Sequence, residues 1–598
     1  MNRLANEKSA YLQHASHQKI DWYPWSEEAF ERAEREDKPV FLSSGAIWCH
    51  WCHVMAKECF EDEEVARLLN EYFVPVKLDR DQRPDIDRRY QQALAAMGVS
   101  GGWPLSMFLT HDKKPFYGGT YFPPDEGFGR PGFKAILLAI SRLYREKKDE
   151  AIGYGEKYIE FLKNRVTVSG EGFDKSMLDE AEEKMLSGMD RLHGGFGSAP
   201  KFAMSGALEF LIHRYFFRKD KALGSAIEKT LTSMADGGIH DQLGGGFHRY
   251  STDMTWTIPH FEKMADDNAW LLRNYTDAYC IFGDNYFKEV AEGIIAFLRR
   301  ELSHPDGGFY ASQDADVTPD DEGGYFLWRD EAFKSLLTDE EYKVLSLYFL
   351  HQQGAMRHDT SKMVLHVTQG TGELSKQLGM EEGEVKEILL SGKQRLLKER
   401  GERQKPVIDR AMYTSLNGML ISAFLKAYRA LGDESVKEFA IMSLDRISKT
   451  NAPNGQLFHS EGVEAFLDDY VNFIDALISA YEVSGDKNYL DQADLYMGQC
   501  VGKFWDKKDG GFFDTEGEVI GMRLKGIEDT PHPSANSTGI MCLIKLSLIL
   551  GRDDYMRYAE SALTHFALVA GAMGIHGGYY FCALDAYFHM MKLDVRAL

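Results

Sequence analysis

"KPVFLSSGAIWCHWCHVM", Lys38 to Met55, sets two cysteines, two histidines and two tryptophans into six consecutive positions, Trp48 to His53. Lys38 to Ser44 is a short apolar run that reads as a buried strand. Gly45 and Ala46 are small and lead to Trp48 and Cys49, and "HVMAKECF" then continues in helical period. A C-x-x-C at such a strand-to-helix junction has a chemical reason. The first thiol meets the unpaired N–H groups and the positive end of a helix, which favour the thiolate. The second thiol lies one turn on and can attack a mixed disulfide. Cys49 is therefore the expected nucleophile and Cys52 the resolving thiol, with His50 between them to favour the thiolate further when protonated. Two other readings stay open here. Cys49, His50, Cys52 and His53 could form a metal site, although so short a window wraps a tetrahedron poorly and no second C-x-x-C exists. The thiols could also be inert core groups.

Working outward, "EEVARLLNEYF" is a helix, Val74 to Asp79 a second strand and "PDIDRRYQQALAAMG" a helix with Pro84 in its first turn. "LSMFLT" and "FYGGTYF" form a hairpin across "HDKKP", and "GFKAILLAISRLYREKK" closes the unit. This order resembles the thioredoxin fold. The resemblance implies a cis Pro104 in "GGWPLSMF", packed against the dithiol beside Trp48 and His50 as a client-contact surface. It also exposes a departure. Six residues before its first active cysteine thioredoxin has a buried Asp that helps move protons, and here that position is Ser43. His53 is the candidate substitute.

The chain has 598 residues, 44% hydrophobic and 12% aromatic, with a net charge of −23. That length exceeds one ordinary core and predicts two or more domains. The acidity disfavours nucleic acid and anionic membrane surfaces as partners. No apolar signal segment opens the chain and no run of about 18 apolar residues suggests a membrane helix. The seven cysteines are mostly scattered, unlike a secreted disulfide framework, so a cytoplasmic location is expected. Nothing calls for a cofactor or a metal.

From about Glu171 long amphipathic segments alternate with Gly-aromatic loops: "HGGFGSAPKF" at His193, "LGGGFHRYS" at Leu243, "DGGFYASQD" at Asp306, "NGQLFHS" at Asn454, "DGGFFDT" at Asp509 and "HGGYYF" at His576. The intervals mostly hold two helices and their loops. One longer gap carries a charged helical insertion at about 330–405. Six helix pairs suggest a closed (α/α)6 ring, with the glycines turning the chain and the aromatics pointing into its mouth, or else acting as helix stops with an apolar anchor. The layout resembles the six-hairpin toroid of glycosidases and N-acylglucosamine 2-epimerases. The expected organisation is multidomain: an α/β thioredoxin-like domain at 1–165, then an all-α (α/α)6 toroid at 171–598.

Polar residues gather at the toroid loops. "FHRYSTDMTWTIPHFEKMADD" carries His248, Arg249, Asp253, Trp256, His260, Glu262, Lys263 and Asp266. "SQDAD" adds Asp314 and Asp316, "FLDDYVNF" adds Asp468, Asp469 and Tyr470, and "EDTPHPSANS" adds Glu528, His532 and Asn536. Sugar hydrolysis needs two carboxylates across a bond, and epimerisation needs an acid or base on each face of a carbon. His260 and Glu262 are the candidate catalytic pair of the toroid, and His248, Arg249, Asp253, Trp256, Asp314, Asp316, Asp468, Asp469 and Tyr470 candidate ligand contacts. The competing reading is that these residues cap helices and tie loops.

Together "WYPWSEEAFERAEREDKPVFLSSGAIWCHWCHVM", "GGWPLSMFLT", "YSTDMTWTIPHFEKM", "SQDAD" and "FLDDY" resemble the large thioredoxin-domain proteins related to spermatogenesis-associated proteins of animals. The resemblance runs from about Tyr11 onward and implies both domains without implying a settled reaction. Leu416 stands where the family usually has the Trp of a Trp-Asn-Gly. The function expected first is a thiol–disulfide protein whose toroid binds a thiol client or a small, sugar-like ligand. The alternatives are a sugar isomerase, epimerase or glycosidase-like enzyme with a regulatory thioredoxin-like domain, and a non-catalytic scaffold.

Overall fold

The strand expected in "KPVFLSS" is β2, Val40–Gly45, and every residue of it is buried. It lies at the centre of a five-stranded sheet of order β1–β3–β2–β4–β5, with β1 Tyr23–Pro24, β3 Val74–Asp79, β4 Leu105–Leu109 and β5 Pro115–Gly119. β2 runs parallel to β3 and antiparallel to β4. The computed structural model describes residues 2–127, 131–165, 170 and 172–589. Helices α1 Ala10–His14 and α2 Glu27–Glu36 precede β2, α3 His50–Met55 and α4 Glu63–Tyr72 follow it, and α5 Pro84–Ala96 follows β3. α6 Phe133–Glu146 and α7 Lys148–Arg165 close the unit. The elements from β2 to α6 follow the expected thioredoxin order.

Contacts divide the chain into two units, and the division departs from a single cut near residue 170. Thr318–Asp320 and Phe513–Lys525, both inside the expected 171–598 span, belong to the first unit. Met522 and Leu524 enter its core beside Ile86, Leu94 and Leu105. Arg89 on α5 explains the attachment. Its guanidinium donates to both oxygens of Asp514 at 2.8 and 3.1 Å and to the carbonyls of Asp85, Val519 and Met522. A buried Arg needs such complete pairing.

Among the described residues of the second unit, twelve helices form two layers. The inner six are α9 Ser205–Arg218, α11 Ala265–Phe282, α17 Thr414–Leu431, α19 Leu467–Ser484, α21 Ala535–Leu550 and α23 Gly578–His589. Each packs on the next, and α23 packs back on α9, which closes the ring. The outer six are α8 Ser176–Ser187, α10 Lys221–Asp236, α12 Asn285–Glu301, α18 Glu434–Thr450, α20 Lys487–Phe504 and α22 Asp553–Met573. The charged insertion is helical, with α13 Asp330–Leu336, α14 Asp339–Phe349, α15 Thr371–Leu378 and α16 Glu382–Glu402 around their own apolar core. Arg400 of α16 clasps Asp241 bidentately at 2.8 and 2.9 Å, which fixes the insertion to the loop before Phe247.

The ring's connections use two local devices. From inner to outer helix the chain turns on Gly-Asp: Gly283–Asp284, Gly432–Asp433 and Gly485–Asp486. Each glycine is left-handed and ends the inner helix, while each aspartate accepts an N–H of the next helix's first turn. From outer to inner helix the Gly-Gly-Phe loops turn back. Phe247, Phe309 and Phe512 do not point into a mouth; they are buried in the ring's core, and Phe309 stacks edgewise on Phe424 and Phe439. An Asn on the following inner helix grips each phenylalanine backbone. Asn268, Asn417 and Asn536 accept the Phe N–H at 2.7–2.8 Å and donate to the Phe carbonyl at 2.9–3.1 Å. These loops are therefore helix stops with an apolar anchor. "HGGYYF" differs again, because Gly578 starts α23 and a Cβ there would collide with the backbone of Gly206 and Ala207 on α9.

Candidate functional site

Cys49 is the N-cap of α3, as the junction of strand and helix requires. The Cys52 N–H, which donates to the Cys49 carbonyl at 3.0 Å, also reaches Cys49 Sγ at 3.2 Å, so an amide of the first turn is aimed at the expected nucleophile. The two sulfurs form a disulfide, with the Cα atoms 5.2 Å apart. Trp103–Pro104 is cis and precedes β4. Trp103 meets Trp48 edge to face at 5.7 Å, and Arg80 covers Trp103 at 4.7 Å. Trp48 donates to Asp81 at 2.7 Å, and Trp103 and Ser44 both donate to Asp87. Trp48 is thus a wall of the site, 2% exposed; the ring open to solvent beside the dithiol is Trp51, 45% exposed, which the sequence did not single out. His50 is buried at the start of α3. His53 contacts the Ile47 carbonyl at 2.7 Å through Nε2, so it holds the turn that leads into Cys49. Cys59 bonds the Phe122 carbonyl, and burial pushes its thiol up to about 12, as befits a core group.

Beneath the disulfide lies a polar layer that sequence reasoning missed. Ser43 pairs with Lys77, and Gly45 with Asp79, across β2 and β3. Lys77 faces the rings of Tyr11, Phe60 and Trp22 at 4.4, 5.1 and 5.2 Å, and burial lowers its ammonium to about 7. Asp79 accepts from Ser9 and from the backbone of Asp81; burial and then the Asp81 charge raise its carboxyl to about 6. The one available signal was Lys77 itself, a charge inside the apolar strand "VPVKLD".

In the second unit the structure brings part of the first cluster together. Tyr250 pairs with His260 across a short antiparallel bridge. His260 Nδ1 lies 2.8 Å from Glu262 and 3.3 Å from Glu322, and Arg249 lies 3.9 Å from Glu262. Burial alone would lower the His260 pKa, but Glu262 and then Glu322 outweigh it and hold the imidazole at about 9. His532 of the fourth cluster reaches Asp266 at 3.5 Å. Ser312–Gln313, just before Asp314 and Asp316, pairs with Lys263–Met264 and with Ile408–Asp409 in one small sheet. Glu322 had no signal in the sequence beyond its charge.

Other expected ligand contacts have structural work. His248 bonds the Phe261 carbonyl, and burial drives its imidazole down to about 3. Asp253 accepts the N–H groups of Thr255, Thr257 and Ile258 and so closes its own loop. Trp256 is fully buried and donates to the His193 carbonyl. Asp469 accepts the N–H of Ser415 and Phe466 and pairs with His459, while Asp468 is half-buried beside it. Tyr470 reaches Gln499 and packs on Phe504 between α19 and α20. Leu416 packs against the ring's core. Within the ring, Glu209, His213 and Asp277 converge closely enough to hold a cation, and the ammonium of Lys426 already bonds both carboxylates.

Residues 1–163 match the family described as Thioredox_DsbH, "Protein of unknown function, DUF255". The chain is 34% identical over 615 residues to spermatogenesis-associated protein 20 of Homo sapiens, covering 95% of this chain and 78% of that protein. It is 35% identical over 616 residues to the Rattus norvegicus protein of the same name, with the same coverage. Among solved structures, that of a D-mannose isomerase is similar over 65% of this chain and 84% of that one, at 11% identity and a TM-score of 0.42. A chain matched at this identity over almost its whole length, with the dithiol on its α3 helix, belongs to the family of spermatogenesis-associated protein 20.

Proposed function

We propose that the first unit is a thiol–disulfide oxidoreductase acting through Cys49 and Cys52, and that the ring unit binds a thiol client or a small ligand. The observation that carries this reading is the Cys52 N–H aimed at Cys49 Sγ from the first turn of α3. In the reduced protein that amide and the helix end stabilise a thiolate on Cys49. The thiolate attacks one sulfur of a client disulfide and releases the other as a thiolate. Cys52 then attacks Cys49, breaks the mixed disulfide and releases the reduced client, leaving the Cys49–Cys52 disulfide. Cys59, Cys500, Cys542 and Cys582 are buried thiols outside any disulfide, which suits a cytoplasmic setting.

Alkylation tests this. In the reduced full chain, Cys49 reacts with iodoacetamide at pH 7 at least about tenfold faster than half-buried Cys280, as read by mass spectrometry. Equal rates at Cys49 and Cys280 would overturn the reading.

The His260 group supports a second reading for the ring, acid–base chemistry on a sugar-like ligand. A histidine held protonated by two carboxylates is an acid at pH 7. Solvent deuterium incorporation into N-acylhexosamines that is lost in His260→Ala would support it, and no incorporation by the parent chain would dismiss it.

A further inference from the structure

Glu209 and His213 are four residues apart on α9 and so share one helix face. Asp277 comes from α11 and Lys426 from α17, the next two inner helices of the ring. Glu209, His213 and Asp277 are all buried, at most 5% exposed. His213 Nε2 lies 3.8 Å from Glu209 Oε1, and the ligand atoms of Glu209, His213 and Asp277 lie within 4.8 Å of one another. Two ligands of a tetrahedral zinc ion are about 3.4 Å apart, so small side-chain adjustments close this triangle.

The Lys426 ammonium marks where positive charge belongs. It bonds Glu209 Oε1 at 3.2 Å and also Asp277 Oδ2. Glu209 Oε2 accepts from Asn274 at 2.8 Å, which orients the carboxylate and leaves Oε1 for the centre. One ammonium here serves two carboxylates, whereas Asp475 alone has two cations, Lys545 and Arg273. The imidazole is left out altogether. His213 Nε2 is buried and has no hydrogen-bond partner, which is costly for a polar atom. Lys426 thus satisfies the carboxylates and not the third group that converges with them.

We propose that Glu209, His213 and Asp277 form a zinc site, in which the ion takes the place of the Lys426 ammonium. A divalent ion matches the charge of two carboxylates, and it engages the ring nitrogen that the ammonium does not. An imidazole with two carboxylates suits zinc, while magnesium and calcium favour oxygen ligands alone. The Lys426 side chain is 18% exposed, so its long stem can carry the ammonium outward as the ion enters. Three protein ligands leave a fourth position for water or a ligand oxygen, the pattern of reactive rather than closed structural zinc sites. Neither cysteine of the dithiol takes part.

The test uses the chelator-treated full chain in its disulfide form, so that Cys49 and Cys52 cannot bind metal. After dialysis against buffered zinc at about pH 8, the parent should retain about one zinc per chain by atomic emission. Lys426→Met removes the competing ammonium and should bind zinc about tenfold more tightly, while His213→Gln should bind it about tenfold or more weakly. Circular dichroism confirms that each variant is folded. Zinc-edge X-ray absorption of the loaded parent, which needs no variant, should show one imidazole, oxygen ligands and no sulfur. A parent chain that retains no zinc overturns the site, even if Lys426→Met takes the ion up, because the ammonium is then the permanent cation. Unchanged retention in folded His213→Gln, or a zinc edge with sulfur or several imidazoles, overturns it equally. Cys49 alkylation tests the oxidoreductase reading separately, so either can fall without the other.

Discussion

Asp475 in the ring and Lys77 in the sheet are both fully buried charges, and their surroundings treat them in opposite ways. Lys545 approaches Asp475 at 2.9 Å and Arg273 at 3.2 Å. Burial alone would raise the Asp475 carboxyl, but the two cations hold it far below the usual range, and it holds them protonated in return. Lys77 faces the rings of Tyr11, Trp22 and Phe60, and among the described residues no carboxylate lies within ion-pair distance. Burial therefore brings its ammonium down to about 7. A paired buried charge cannot change state without unfolding its surroundings, so it serves as framework. A charge left near neutrality can change state during a reaction. By this measure Lys77 stands apart from the Asp475 trio, which holds inner helices α11, α19 and α21 together.

Three substitutions test that contrast. The largest effect is expected from Asp475→Ala, which strands Arg273 and Lys545 as buried cations. It should cost about 3–5 kcal/mol in guanidinium unfolding, with Cys49 alkylation unchanged in native buffer. A loss under about 1 kcal/mol would mean that water reaches the trio and that the contrast with Lys77 is false.

Lys77→Met should act with the opposite sign. The folded pKa is near 7 and the unfolded one near about 10.4, so between these values the unfolded chain binds more protons and the parent's stability falls as pH falls. Below about pH 7 both states are protonated and the penalty stops growing. The variant should therefore gain on the parent as pH drops from 10 to 7, by about 2–4 kcal/mol at pH 7, with little difference above pH 10.5. Unfolding measured at pH 6, 8 and 10 decides this, because a gap that does not change with pH would show Lys77 to be paired or hydrated.

The smallest effect belongs to the surface. Asp433→Ala removes the carboxylate that accepts the Ser435 N–H at the start of α18 and should cost about 1 kcal/mol. A much larger loss would place Asp433 in the framework with Asp475 and would make it more than a cap.

How much of this was legible depends on how local each signal was. The dithiol, the strand before it and the alternating helices were readable because residue type and spacing alone fix a thiol at a helix N-terminus or an apolar face every turn. The Gly-Asp turns at Gly283, Gly432 and Gly485 were equally readable, since a left-handed stop followed by an N-cap is a two-residue signal. The sequence leaves the Gly-Gly-Phe aromatics between a lined mouth and an apolar anchor, because a turn residue does not state which side of the chain its neighbour faces. Only the layer between inner and outer helices decides that Phe309 is an anchor. Asp253, Trp256 and Asp469 looked like ligand contacts by composition, and their hydrogen bonds to nearby backbone make them loop braces.

Cys49, Cys52 and the (α/α)6 alternation were determined by sequence, because helix ends and periodic apolar faces are properties of neighbouring residues. The assembly of Tyr11, Ser9, Lys77 and Asp79 under Cys52 was decided by tertiary structure. So were the pairing of His260 with Glu322 and the inclusion of Phe513–Lys525 in the first unit. These groups are far apart in the chain, and what brings them together, and what moves their proton affinities, is shared burial. That has no local code in sequence.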